Sequence, residues 1–217
     1  MARAKAKFTR AKPTLPPKQR FFLFCEGKST EPGYFRAMQR FVGAVIEVMP
    51  IPAGSPKTIA EQAIGHAKRE GLAKKSVKKR KFENTYQARD QVWAVIDRDE
   101  HEPFEEPIRS CEQNGVNVAR SNPCFEIWLI LHQEDFHRPD DRHQVCRHLR
   151  KLRPEYDPHG AKTCHWAELL ANVEIAETRA ANQLRQRERE SAPFGAPSTT
   201  VGELTRAIRE AAKRSAR

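Results

Sequence analysis

The chain has 217 residues, 38% of them hydrophobic and 31% charged, with a formal net charge of +11 and a pI of about 9.7. This is the size of one ordinary domain, or of one domain with a helical extension, and the apolar content can fill a single core. No run approaches the ~20 apolar residues of a membrane span, the five cysteines are odd in number and unpaired in spacing, as suits a reducing cytoplasm, and the basic excess points to a polyanionic partner, nucleic acid first.

Residues 1–19 carry Arg3, Lys5, Lys7, Arg10, Lys12 and Lys18 with no acid and no apolar segment. Pro13, Pro16 and Pro17 oppose a helix there. This reads as a disordered basic arm rather than a secretory signal. From Arg20 the pattern changes. Phe21-Phe22-Leu23-Phe24-Cys25 is a continuous apolar run, the pattern of a strand buried on both faces. Ser29 or Thr30 can cap a following helix, with Pro32 tolerated in its first turn and Tyr34, Phe35, Met38, Phe41 and Val42 at helical spacing.

Ala44 to Met49 predicts a second strand, and Ser55-Pro56 opens a helix with Ile59, Ala60, Ala63, Ile64 and Ala67 on one face. Lys74, Lys75, Lys78, Lys79, Arg80 and Lys81 form a basic loop suited to phosphate contacts. Gln91 to Asp97 predicts a third buried strand, Glu105 to Asn114 a short helix ended by Gly115, and Val116 to Arg120 a further strand. Asn122-Pro123 starts a helix carrying Phe125, Trp128, Leu129 and His132.

Strands and helices thus alternate up to about His132, which predicts an α/β core over residues 20–139 with a mostly parallel sheet flanked by helices. Residues 140–217 read as a mostly helical C-terminal extension packed on that core, with helices at about 141–152, 166–189 and 199–214 and a hinge or loop over 188–198. Trp166, Leu169, Leu170 and Val173 at helical spacing suit the core, a partner surface or a contact with a second copy of the chain.

Gly27-Lys28-Ser29-Thr30 resembles a phosphate loop only at first sight. Such a loop needs a glycine separated by four residues from the Gly-Lys pair, and that place is held by Phe22, inside the strand. The carboxylates are more informative. Ligands of open α/β sheets gather at the carboxyl ends of the strands. Glu26 follows the first strand, Asp97 ends the third, and Asp99 lies two residues on, where strand alternation would point it the same way. Three acids at adjacent strand ends repel without a counterion and suit Mg²⁺ or Mn²⁺. Glu126, in the first turn of the helix after Pro123, is a candidate fourth acid, and Glu31 has a similar position at the first helix.

Phe24-Cys25-Glu26-Gly27 with Thr30-Glu31 and Tyr34-Phe35, then Val95-Ile96-Asp97-Arg98-Asp99, then Ser121-Asn122-Pro123-Cys124-Phe125-Glu126-Ile127-Trp128-Leu129, resemble the signature blocks of the RloB-like family. Pro197-Ser198-Thr199-Thr200-Val201 with Leu204 resembles its C-terminal block. The resemblance implies a TOPRIM-like fold, in which a Glu after the first strand and a D-x-D after a later one hold divalent metal, here Glu26, Asp97 and Asp99. It also implies a role in bacterial antiphage defence beside a co-encoded ATPase. None of the three tyrosines, Tyr34, Tyr86 and Tyr156, sits in a recognisable nucleophile context, which argues against a strand-passing topoisomerase.

The resulting expectation is a metal-dependent nuclease acting on RNA, such as tRNA, or on DNA. Glu26, Asp97 and Asp99 would hold the ion, Glu126 would complete the site, and Lys28 would meet charge developing on the phosphate. A basic nucleic-acid-binding partner of an ATPase, without catalysis, remains the alternative of a different class. A zinc module built from His143, Cys146, His148, Cys164 and His165 matches no standard spacing. Cys25 and Cys124 lack a paired base, and Trp93 and Trp128 read as core.

Overall fold

The computed structural model describes residues 18–27, 29–52, 54–74, 89–99, 104–157, 160 and 164–216. Lys28, most of the basic loop (Lys75, Lys78, Lys79, Arg80 and Lys81) and the basic arm before Lys18 lie outside the described residues. The elements, in chain order, are β1 (Arg20–Glu26), α1 (Thr30–Val42), β2 (Val45–Ile51), α2 (Pro56–Arg69), β3 (Gln91–Asp97), α3 (Glu105–Asn114), β4 (Asn117–Asn122), α4 (Glu126–Leu131), α5 (Arg142–Leu152), α6 (Trp166–Ala171), α7 (Val173–Arg189), β5 (Ser198–Thr199) and α8 (Val201–Ser215).

The sheet runs β2-β1-β3-β4-β5, parallel throughout except for the short β5, which pairs antiparallel with the end of β4. This is the mixed α/β, mostly parallel and helix-flanked architecture expected from the alternating pattern, and it accords with a TOPRIM-like fold. The continuous apolar runs have the reason anticipated for them. In β1, Phe21, Leu23 and Cys25 enter one core while Phe22 and Phe24 enter the other. In β3, Trp93 and Val95 face the first core, and Val92, Ala94 and Ile96 the second. Both faces of each central strand are covered, so alternation with polar residues would leave unpaired groups in a core.

The second core is closed by α2 and α3, through Ile59, Ala63, Ala67, Ile108 and Cys111. Helix α2 begins as its sequence requires, with Ser55 accepting a hydrogen bond from the Thr58 N–H and Pro56 in the first turn. The first core is larger. It joins α1 and α4 to Val145, Leu149, Leu169, Leu170, Val173, Val201, Leu204 and Ile208 from the C-terminal helices. The C-terminal part therefore shares one continuous core with the sheet, and Leu169, Leu170 and Val173 are core residues rather than surface. Trp93 and Trp128 are buried as well.

Local departures from the sequence pattern have local causes. The helix expected over 166–189 breaks at Asn172 into α6 and α7. Residues 198–199, read as the end of a loop and the start of a helix, instead extend the sheet, because Thr200 donates its N–H to Arg120 O and accepts from Arg120 N–H. Helix α4 begins at Glu126, four residues after Asn122, since β4 continues through Asn122. Phe41, at core spacing in α1, is 52% exposed at the helix end.

Two buried polar groups fasten the larger core. His132 Nδ1 lies 2.8 Å from Trp128 O, a group that only accepts, so this nitrogen carries the proton and Nε2 accepts from the Tyr34 hydroxyl at 3.1 Å. Burial holds the His132 imidazole neutral, with its pKa pushed down to about 4. On α7, Glu177 is 3% exposed and accepts from Arg209 and from the Thr205 hydroxyl on α8. Removing Glu177 leaves the mostly buried Arg209 guanidinium with the exposed Glu174 in place of a buried counter-charge. Glu177→Ala should therefore lower unfolding stability by about 3 kcal/mol in urea denaturation, with Arg209→Met in the same background recovering part of the loss.

Candidate active site at the carboxyl edge of the sheet

The site follows from how β1, β3 and β4 end. The last residue of β1 is Glu26, and the chain then reverses through Gly27, whose φ of 69° is one that L side chains adopt rarely. The Gly27 N–H donates to Ile51 O at the end of β2, so this turn stays against the sheet edge. Helix α1 starts immediately afterwards and places Glu31, 8% exposed, in its first turn.

Asp97 is the last residue of β3. The chain after it is pinned to the end of β4: Arg98 N–H donates to Ser121 O at 2.9 Å and Asp99 N–H to Pro123 O at 2.8 Å. Asp99 has φ 43°, a left-handed turn conformation. The alternation expected to aim Asp97 and Asp99 alike therefore ends at the strand end, and Asp99 is oriented instead by Arg142, whose Nη1 donates to Asp99 Oδ2 at 2.6 Å. Arg142 is the first residue of α5, held there by a reciprocal cap in which Asp141 accepts from Gln144 N–H and the Gln144 side chain accepts from Asp141 N–H.

Glu26, Glu31, Asp97, Asp99 and Glu126 line a single cleft of about 170 Å³, with Arg142, Gly27, Ser29 and Thr30 also in its wall. Four of the five residues expected at the site are thus brought to one place, and the fifth, Lys28, lies outside the described residues. Of the expected basic contacts only Lys74 is described. It is exposed, and its Nζ donates to Glu112 O at 3.3 Å.

Asp97 is the centre of this arrangement. It is 9% exposed; Oδ2 accepts from the Phe125 N–H at 3.0 Å, and the buried Oδ1 has no hydrogen-bond partner. Burial first, and then the charges of Glu31, Glu126 and Asp99, raise its carboxyl well above the usual carboxylate range, against the opposing pull of the Phe125 amide. An orphaned buried oxygen among like charges fits a bound cation. The donor set, all carboxylate, is the one that hard divalent ions such as Mg²⁺ or Mn²⁺ prefer.

Among the described residues, the group whose ligand atoms all fall within 4.8 Å of one another is a different one, Cys124, Glu126 and Cys146. Glu26, Asp97 and Asp99 share the cleft without converging so closely. Strand register explains part of this: Cys25 lies level with Val95, so Glu26 follows on the parity of Phe24, whereas Asp97 follows on that of Val95. The pull of Arg142 on Asp99 explains another part. Glu126 is held at the cleft wall by the Tyr156 hydroxyl, which donates to its Oε1. Burial, and then the adjoining Glu126 charge, keeps the Tyr156 phenol protonated.

Arg142, Tyr156 and the Cys124–Cys146 pairing are absent from the sequence-based expectation. The Asp141-x-x-Gln144 cap was a legible signal for where α5 begins, but not for what its first residue touches. The histidines and cysteines weighed as a zinc module do not gather: His148 pairs with Glu134 at 2.6 Å, His165 lies beside Glu155 and Glu168, and His143 is exposed. Among the described residues, only Cys146 of these enters a ligand group, with partners from elsewhere in the chain.

No curated protein and no solved structure matches the chain. The family model described as RloB-like protein matches residues 21–208, from the first strand to the last helix and through every element that lines the acidic cleft. The chain belongs to the RloB-like family.

Proposed function

We propose that the protein is a divalent-metal-dependent nuclease cleaving phosphodiester bonds of RNA, such as tRNA, or of DNA. The observation that carries this reading is the buried, unpartnered Oδ1 of Asp97 within a cleft of carboxylates at the carboxyl edge of a parallel sheet. Asp97, Asp99 and Glu26 are the residues that would hold Mg²⁺ or Mn²⁺, which supplies Lewis acidity toward a phosphoryl oxygen and lowers the pKa of an attacking water.

The chain's own groups have separable parts in this reading. Asp97 is preset by the Phe125 amide, which fixes one oxygen and leaves the other for the ion. Arg142 keeps Asp99 oriented before any ion arrives. Glu26 is half-buried at the cleft, where it serves either as a ligand or as the base that takes a proton from water. Lys28 would meet negative charge on the phosphate. Arg98, between the two aspartates, lines a neighbouring larger cleft of about 650 Å³ together with Arg109, Phe104 and Phe194. The loop that presents the acids thus also borders a second cavity, as a polymeric substrate would use. The basic arm and the 74–81 loop add sequence-independent attraction to phosphates.

Family membership supports placing this activity in antiphage defence, beside an ATPase partner that would restrain or trigger it. No helix among the described residues is long and apolar enough to cross a membrane.

Cleavage of a labelled panel of RNA and DNA, with Mg²⁺, Mn²⁺ or EDTA and with or without a co-encoded ATPase, tests the reading. Wild type should cut only with metal, and Asp97→Ala should cut about a hundredfold more slowly or not at all. Salt-sensitive binding that is equal in both proteins, without cutting in either, would instead make this a noncatalytic nucleic-acid-binding partner.

A stability measurement probes the same site without activity. The folded state raises the Asp97 pKa, so it favours the protonated form more than the unfolded chain does, and stability falls as pH rises from the ordinary aspartate range through the folded pKa. Asp97→Asn removes that penalty. Metal-free Asp97→Asn should therefore melt higher than wild type at pH 7, with the difference closing below about pH 4. Mn²⁺ at about a hundred times its Kd should stabilise wild type by about 2.7 kcal/mol and the variant far less.

A further inference from the structure

We propose that Cys124, Glu126 and Cys146 form a second metal site, selective for a thiophilic divalent cation of the zinc class and adjoining the carboxylate cleft through Glu126. Their ligand atoms lie within 4.8 Å of one another although they come from different places: the turn after β4, the start of α4 and the middle of α5. Two sulfurs and one oxygen are a poor set for Mg²⁺ and a good one for Zn²⁺. Three protein ligands leave a fourth position open, the arrangement of exchangeable rather than closed zinc sites.

The surroundings match this use. Cys124 is 1% exposed and Glu126 7%, so the ligands sit in a dry wall, while Cys146 is half-buried and marks the side from which an ion enters. The Tyr156 hydroxyl donates to Glu126 Oε1, orienting the carboxylate as outer partners of metal ligands do. The site joins the start of α4 to α5, the helix whose first residue, Arg142, grips Asp99. An ion there fastens the two helices that frame the acidic cleft.

Co²⁺ is the probe, added to the metal-free full chain kept reduced with a phosphine. With excess Mg²⁺ present to fill the carboxylate cleft, wild type should develop thiolate-to-cobalt charge-transfer absorption that saturates at one cobalt per chain and is abolished by equimolar Zn²⁺. Cys146→Ser should lose the absorption and the rise in thermal midpoint that Zn²⁺ gives wild type, while Cys111→Ser, on the opposite face of the sheet, keeps both. Cys146→His restores a ligand if the serine variant folds poorly, and should retain one cobalt with about half the charge-transfer intensity, since one thiolate of two remains. Asp97→Asn should leave the absorption intact, which separates this site from the nuclease reading. Absence of charge-transfer absorption in folded wild type, or absorption that survives Cys146→Ser in full, overturns the proposal.

Discussion

Crowding of carboxylates at one end of a parallel sheet is the constraint around which this structure is arranged. Asp97 ends a strand that is buried on both faces, so its side chain has little access to water. Glu31, Glu126 and Asp99 all add repulsion to the cost of that burial. Among the partners that hold these acids are a backbone amide for Asp97, a guanidinium for Asp99 and a phenol for Glu126. The Phe125 amide leaves the second oxygen of Asp97 without a hydrogen bond, as a preset metal site requires.

The compensating groups come from far along the chain, which explains why the C-terminal helices pack where they do. Arg142 and Cys146 stand on α5, and Tyr156 follows it. Val145 and Leu149 anchor α5 in the larger core, and Tyr156 is itself fully buried. Beneath them, the Tyr34–His132 contact links α1 to the end of α4, so that the two helices whose first turns carry Glu31 and Glu126 are tied at depth. The α7–α8 pair, locked by Glu177 and Arg209, backs α4 from the other side through Val173, Ala176, Leu204 and Ile208. Removing residues 140–217 would strip Arg142 and Gly160 from the cleft wall as well as a side of its core.

This arrangement also separates two kinds of metal chemistry over a short stretch of chain. Asp97 and Asp99 offer hard oxygen ligands, whereas Cys124 and Cys146 are soft. Glu126 stands between them, at the wall of one site and among the ligands of the other. Cooperation between the sites would act through α4 and α5, which both of them touch.

The α/β class, the central strands and the carboxylates at their ends were legible in the sequence for a physical reason. A parallel strand buried on both faces writes itself as a continuous apolar run, as in Phe21 to Cys25 and Val92 to Ile96, and an acid directly after such a run stands out. Helix periodicity placed the α1 and α2 core faces in the same way. Contacts between residues distant in sequence leave no such mark. That Arg142 would orient Asp99, that Tyr156 would hold Glu126, that Ser198 and Thr199 would close the sheet edge beside β4, and that Cys146 would meet Cys124 all depend on how helices settle on the sheet. Local sequence determined which groups are charged, buried or turning; only packing decided which of them are neighbours, because partner choice is set by the shape of the assembled core and not by spacing along the chain.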